Sequence, residues 1–224
     1  MKKLISFTLF GDSPKYNIGA IKNIDQFNQM LPDWDVVIYY HKNNINKNVL
    51  TDLENRNVIL VDVSEFNLTK KPITEYSYFW RFFAFFENNN YVISRDLDSR
   101  PSNREITYIN NWVNSGKDFF IIRDHPWHSP IPAGLLGMKN NGEKFKSHLI
   151  NYIDNNNIKW GSDQEILEDF FRLISNDNIF YCGFNDNLNY IKRDDENFFI
   201  GMQLDENDES ISPVAVTFLK EMGY

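Results

Sequence analysis

Two aspartates one residue apart, Asp96 and Asp98, follow the apolar run Tyr91-Val92-Ile93-Ser94. Side chains alternate along an extended chain, so both carboxylates point to one side while Leu97 turns into the core. Two carboxylates on one face repel each other unless a cation or a proton sits between them. Oxygen-only ligation selects a hard ion, Mn²⁺ or Mg²⁺, which also holds phosphate oxygens and acts as a Lewis acid on a departing diphosphate. Arg95 and Arg100 flank the pair and offer either neutralisation or a phosphate contact. The reading without chemistry is an Asx-type turn at a strand end.

Other residues with chemical potential lie on either side. Arg81 stands among Tyr78, Phe79, Trp80, Phe82 and Phe83, and a charge in such an apolar stretch requires a partner. Glu75 or Glu87 would supply one from the same helix surface. Arg123-Asp124-His125 follows a second apolar run, and its carboxylate and imidazole suit acceptor positioning or proton transfer. His125 and His128 are spaced like a metal pair, but Pro126 and Trp127 argue against a regular helix there. Glycines in Gly134-Leu135-Leu136-Gly137 would let backbone approach a ligand closely, or simply turn the chain. In Gly161-Ser162-Asp163-Gln164-Glu165, Ser162 or Asp163 caps a helix whose first turn carries Glu165.

The elements that must carry these residues alternate. Strands are expected at Lys3 to Leu9, Asp35 to Tyr40, Val58 to Val63, Tyr91 to Ser94, Asp118 to Ile122 and Ile179 to Cys182. Helices are expected at Ile18 to Met30, Lys47 to Asn55, Thr74 to Glu87, Arg104 to Asn114, Gly142 to Asp154 and Asp163 to Ile174. Asparagine clusters such as Asn88-Asn89-Asn90 and Asn155-Asn156-Asn157 end helices. Repeated β-then-α units imply a mostly parallel sheet with helices on both faces, and ligands in such sheets sit beyond the carboxyl ends of the strands. Residues 1 to 204 form one α/β domain. The run Asp205-Glu206-Asn207-Asp208-Glu209-Ser210 precedes a C-terminal helix of about ten residues, making 205 to 224 an acidic appendage.

Composition narrows the function classes. The chain has 224 residues and a net charge of −8, so nucleic acid and anionic membranes are poor partners. A nucleotide diphosphate would need a local cation. The apolar run Leu4 to Leu9 is too short and too interrupted by Ser6 and Thr8 for a signal peptide, and no stretch is long enough to span a membrane. One cysteine, Cys182, forms no intrachain disulfide and fits a reducing, cytoplasmic location. The 30 asparagines suggest AT-rich coding in a low-GC microbe or a large virus, for which the location would be host cytoplasm or virion.

As a constellation, Tyr78-Phe79-Trp80-Arg81-Phe82 followed by Tyr91 to Arg100 resembles the donor site of the GT-A glycosyltransferases. So do Phe10-Gly11, Tyr16 and Gly19, then Arg123-Asp124-His125-Pro126, His128 and Ala133 to Gly137. The resemblance spans roughly residues 4 to 170 and points to a little-characterised microbial, algal and large-virus set. It implies a GT-A-like, Rossmann-type sheet and transfer of a sugar from a nucleotide-diphosphate donor, UDP favoured, to a hydroxyl of a glycan, protein or small molecule. Phe10, Gly11, Asp12 and Tyr16 would hold base and ribose. Asp98 would ligate the metal, Asp96 the metal or ribose, and Arg81 would brace the sugar or Asp96. Gly134 and Gly137 would lie against the donor sugar, and Asp163 and Gln164 would face the reacting sugar. An inverting enzyme needs a carboxylate base, for which Asp124 and Asp163 are candidates; a retaining one needs none. The C-terminal histidine that often completes the metal site has no counterpart after His148, which leaves water or a carboxylate of residues 205 to 209. The rival readings are a haloacid-dehalogenase-like phosphatase, with Asp96 as nucleophile and Asp194-Asp195 as a metal pair, and a degenerate nucleotide-sugar-binding protein.

Overall fold

A computed structural model describes every residue except 1, 89, 129, 130, 185–188, 194, 196, 223 and 224. Asn89 and Asp194, both used above, therefore lie outside the described residues. Seven strands form one sheet: β1 (Lys3–Leu9), β2 (Asp35–Tyr40), β3 (Ile59–Asp62), β4 (Tyr91–Arg95), β5 (Phe119–Arg123), β6 (Leu135–Met138) and β7 (Ile179–Gly183). Their order is β3-β2-β1-β4-β6-β5-β7. Every pair is parallel except the two that β6 makes, with β4 and with β5.

Six α-helices join them: α1 (Pro14–Met30), α2 (Lys47–Glu54), α3 (Asn103–Ser115), α4 (Gly142–Asn155), α5 (Ser162–Phe171) and α6 (Pro213–Glu221). Alternation within the strands explains why both faces are covered. Ile5, Phe7, Leu9, Ile93, Phe120 and Ile122 pack under α1, α2 and α3. Val92, Phe119 and Ile121 point the other way, into a cluster with α4, α5 and the segment Ile73–Phe86. Trp112 of α3 stacks on Phe120 with ring centroids 5.2 Å apart. Each such buried large side chain contributes about 1.5–3 kcal/mol.

Two elements differ from the sequence reading. The aromatic segment 74–87 is helical, but Ile73–Phe86 is a 3₁₀ helix kinked at Tyr76 rather than an α-helix. With three residues per turn, positions i and i+3 eclipse. Tyr76, Phe79, Phe82 and Phe85 thus make one buried row, with Phe82 and Phe85 stacked at 5.7 Å and both edge-on to Phe145 of α4. Tyr78 and Arg81 make another row, which faces the cavity described below. The glycine-containing stretch, read either as a close backbone approach to a ligand or as a turn, contains strand β6. Its Gly137 pairs with Ile93 and Phe120, and a Cβ there would come within 2.9 Å of the Trp112 ring.

Candidate active site

A cavity of about 560 Å³ opens beyond the carboxyl ends of β1 and β4. Strand β4 stops at Arg95, so Asp96-Leu97-Asp98 is a turn and not a continuation of the pleat. Leu97 is buried as expected, yet the two aspartates have different surroundings. The Asp96 side chain is 47% exposed and the Asp98 side chain only 5%. Both line the cavity.

Arg81 organises the exposed carboxylate. Its Nη1 contacts Asp96 Oδ1, and its Nη2 lies 2.7 Å from Asp163 Oδ2, so one guanidinium joins the end of β4 to the start of α5. Neither Glu75 nor Glu87 is its partner. Burial pulls the Arg81 pKa down, but the charges of Asp96 and Asp163 outweigh that and hold it above its usual value. Its backbone is fixed from β1: the Arg81 N–H donates to Thr8 Oγ1 at 2.8 Å, and Ser6 Oγ donates to the Arg81 carbonyl at 2.6 Å. The two hydroxyls that interrupt the first apolar run are therefore anchors for this arginine. Asp163 is not a helix cap. Gly161, with φ +87°, takes that position, and burial, offset by Arg81, pushes the Asp163 carboxyl up.

The buried carboxylate has a partner that sequence reasoning missed. Lys15 Nζ on α1 lies 2.9 Å from Asp98 Oδ2. Burial and then the Asp96 charge push Asp98 up, against the pull of Lys15. Gly19 brings α1 this close, since a Cβ there would meet the Leu97 carbonyl at 2.2 Å. From the same helix, Asn23 Nδ2 donates to the carbonyls of Gly19, Leu97 and Ser99. Lys15 and Asp98 are 83 positions apart, so no local pattern in the sequence joins them.

Several expected ligand contacts belong instead to the framework. Arg95 is fully buried, with Nε 3.0 Å from Glu105 Oε1 of α3 and Nη1 donating to the Gly134 carbonyl. Arg100 donates to the carbonyls of Leu97 and Ser99 and pairs with Asp208 at 2.9 Å. Both arginines hold the turn from behind, where no phosphate reaches them. Asp124 is likewise buried outside the cavity lining, bonded by both oxygens to Arg104 and by the Ile200 N–H at 2.8 Å, so it is not placed to act as base. Gly137 lies in the sheet, and Gly11 and Asp12 are not among the lining residues. Gly11, at φ +87°, serves the turn out of β1. Phe10, Tyr16, Gly134 and Gln164 do line the cavity, and a Cβ on Gly134 would fall 1.8 Å from Asp96 Oδ2.

His125 and His128 also line it, with ring centroids 5.9 Å apart. Both ring nitrogens of His125 are engaged. Nε2–H donates to the Ala215 carbonyl at 3.1 Å, and Nδ1 accepts from the Trp127 N–H at 3.1 Å. No lone pair remains for a metal or a proton. Burial holds His128 down to about 3, so it is neutral near pH 7 and its Nδ1 has no partner among the described residues. The tail carboxylate Asp208 is taken by Arg100 and Lys22.

Among the described residues no group of three or more His, Cys, Asp or Glu side chains converges as a self-sufficient metal cage. The donor chemistry of Asp96 and Asp98, with the Gln203 side chain also in the lining, fits a hard divalent ion that takes its other ligands from phosphate and water.

The overall fold recurs in solved structures. Glucosyl-3-phosphoglycerate synthase from Mycobacterium tuberculosis with phosphoglyceric acid aligns at TM-score 0.53 and 11% identity, covering 80% of this chain and 68% of that one. The same enzyme with Mn²⁺, UDP and glucosyl-3-phosphoglycerate gives 0.52 and 10%, with the same coverage. A further structure of it aligns at 0.52 and 11% over 87% of this chain and 73% of that one. The chain has the GT-A fold. At these identities the GT-A likeness is one of architecture. No family model matches the sequence. No curated protein matches it either.

Proposed function

We propose that the protein is a glycosyltransferase that moves a sugar from a nucleotide-diphosphate donor, UDP-sugar favoured, to an acceptor hydroxyl. The observation that carries this reading is the Asp96–Arg81–Asp163 bridge beside the buried Asp98, all lining one cavity. The Mn²⁺ and UDP of the structurally similar synthase support a divalent cation and a uridine donor. When bound, Mn²⁺ or Mg²⁺ held by Asp96 and Asp98 supplies positive charge against the diphosphate. Phe10 and Tyr16 offer ring faces for the base. Gly134 gives the donor access to Asp96 without a side chain in the way. Arg81 fixes the orientation of Asp96 and Asp163.

In the reaction the bond from the anomeric carbon to the diphosphate oxygen breaks, and a new bond forms to the acceptor oxygen. The diphosphate leaves with the electron pair, and the acceptor proton passes to a base. Asp163 is the carboxylate candidate for an inverting reaction. Its Oδ1 accepts from the neighbouring Gln164 N–H, and its raised pKa makes it a stronger base than an ordinary aspartate. A reducing, cytoplasmic setting fits the single buried Cys182, and no described helix is long and apolar enough to cross a membrane.

The test is incubation with Mn²⁺ and a panel of UDP- and GDP-sugars, following released nucleotide. We expect UDP release from at least one donor, lost in Asp96→Asn. No turnover with any donor, together with no thermal shift on adding UDP and Mn²⁺, would overturn the reading. Orthophosphate release from a phosphoester, abolished by Asp96→Ala, would indicate the phosphatase instead. A second reading, a nucleotide-sugar-binding protein without turnover, is favoured by one observation: Arg81 and Lys15 already neutralise both DxD carboxylates. UDP binding with no transfer or hydrolysis would support it.

A further inference from the structure

Exposed aromatic surface on this protein is concentrated at one place. Among the described residues the exposed aromatic side chains are Phe10, Tyr16, Tyr78, Trp127, Trp160 and Tyr190, and all but Tyr190 line the cavity. The exposed aliphatic side chains Ile18, Ile59, Leu173, Ile211 and Val214 do not. Apolar surface left in water around a cavity marks a binding site. Its restriction to rings narrows the ligand. Aliphatic groups serve equally well for lipid or apolar peptide, whereas flat π-faces suit a ligand presenting a face of polarised C–H groups.

Trp160 is the extreme case. Its side chain is 84% exposed, against 56% for Trp127 and 45% for Tyr78. Its backbone is nevertheless held in place. The Lys159-to-Ser162 turn beneath it is closed by the Ser162 N–H on the Lys159 carbonyl at 3.1 Å and by the Lys159 N–H on Ser162 Oγ at 3.0 Å. The left-handed Gly161 then starts α5, which carries Asp163 and Gln164 into the same cavity. The closed turn thus fixes the backbone from which the ring projects at the cavity mouth.

Charge narrows the ligand further. Among the described lining residues Arg81 is the one permanent cation, and it is committed to Asp96 and Asp163, while three carboxylates face the cavity. His125 and His128 are both held neutral by burial. With Lys15 on Asp98, two cations meet three carboxylates, so in the metal-free site an acceptor carrying phosphate or carboxylate would meet a net negative charge.

We propose that the acceptor is an uncharged saccharide, with a pyranose face on Trp160, further contact from Tyr78 and Trp127, and hydroxyls bonded by Gln164 and Gln203. This rests on the transferase reading for the word acceptor, but not for the binding itself. It sets this chain apart from the synthase of similar fold that holds phosphoglyceric acid.

The test is calorimetric titration of the full chain with neutral hexasaccharides (malto-, cello-, xylo-, manno- and chitohexaose), with 3-phosphoglycerate, and separately with UDP and Mn²⁺. We expect saturable binding of at least one neutral hexasaccharide and none of phosphoglycerate. Trp160→Ala should weaken the saccharide at least tenfold and Trp160→Phe less, with UDP affinity and melting temperature unchanged, since the ring supports nothing else. No hexasaccharide binding, tighter phosphoglycerate binding, or equal affinity in Trp160→Ala would overturn the proposal. UDP binding without saccharide binding would leave the transferase reading standing and remove this one. Saccharide binding without UDP binding would do the reverse.

Discussion

Lys15 decides how the DxD meets a cation. Its ammonium occupies one oxygen of a nearly buried carboxylate, and although burial pulls its own pKa down, the hydrogen bond and charge of Asp98 outweigh that and leave it raised. A divalent ion entering the nucleotide-free site must displace or share that oxygen. Lys15→Met should therefore strengthen Mn²⁺ binding several-fold, about 1 kcal/mol, as read by the free-Mn²⁺ electron paramagnetic resonance signal. The same variant should melt lower without metal and recover when Mn²⁺ is saturating. Unchanged or weaker Mn²⁺ binding would show that the ammonium does not compete. At His128 the consequence concerns pH. Its folded pKa of about 3 lies below the ordinary 6.5, so the unfolded chain takes up a proton that the folded chain refuses. The stability it contributes is present above pH 6.5 and is lost as pH falls from 6.5 towards 3. Buried Asp98, Asp124 and Asp163 have raised values and pull the opposite way as pH falls, so the informative quantity is a difference. Urea melts at pH 7, 6 and 5 should show His128→Gln losing less stability than wild type, by up to ~1 kcal/mol per pH unit. Parallel curves would refute this.

At the scale of elements, the contact between α1 and the DxD turn is the sensitive one. Within a helix, Gly→Ala ordinarily stabilises by about 1 kcal/mol. Gly19→Ala should instead destabilise by about 1–3 kcal/mol, because the added Cβ meets a backbone carbonyl that cannot rotate away. A raised melting temperature would mean that α1 tolerates displacement. Elements are also where the sequence was most and least readable. Strands β1, β2, β4 and β5 and helices α2 to α5 lay close to where hydrophobic periodicity put them, because their apolar residues recur at the period of the element they form. Helix α1 starts at Pro14, a turn before the expected Ile18. The 3₁₀ helix followed a period of three, Tyr76, Phe79, Phe82 and Phe85, which a 3.6-residue reading absorbs without noticing. Strand β6 is four residues with a central glycine, and glycine signals a turn more often than a strand. Asp96, Asp98 and Arg81 stood out because charges next to apolar runs need explanation, whereas Asp163 read as a helix cap and was singled out for the site only by the family resemblance. The partners of Arg95, Arg100 and Asp124 were not, since Glu105, Asp208 and Arg104 are brought to them by tertiary packing alone.

For the whole molecule, residues 205–222 are structurally continuous with the rest. Ala215 and Leu219 pack on Phe199, Met202 and Leu204, and the Ala215 carbonyl fixes the His125 tautomer. Asp208 bridges Arg100 and Lys22, and the Leu204 N–H donates to the Asp98 carbonyl at 2.6 Å. Truncation after Leu204 should cost about 3–6 kcal/mol, lowering the melting temperature by roughly 10 °C. An unchanged melting curve would make the segment the appendage that its composition suggests.

The order of assembly follows from β6. Strands β1 to β4 pair among themselves within the first 95 residues, yet β5 reaches them only through β6, which must fold back against the direction of its neighbours. The DxD turn closes later still, when residues 204 to 208 return to it across more than a hundred positions. A chain emerging from the ribosome thus builds half its sheet early while the two aspartates wait uncovered. Synthesis that stalls before that return would leave a half-sheet whose charged loop has no clasp, a natural substrate for chaperones.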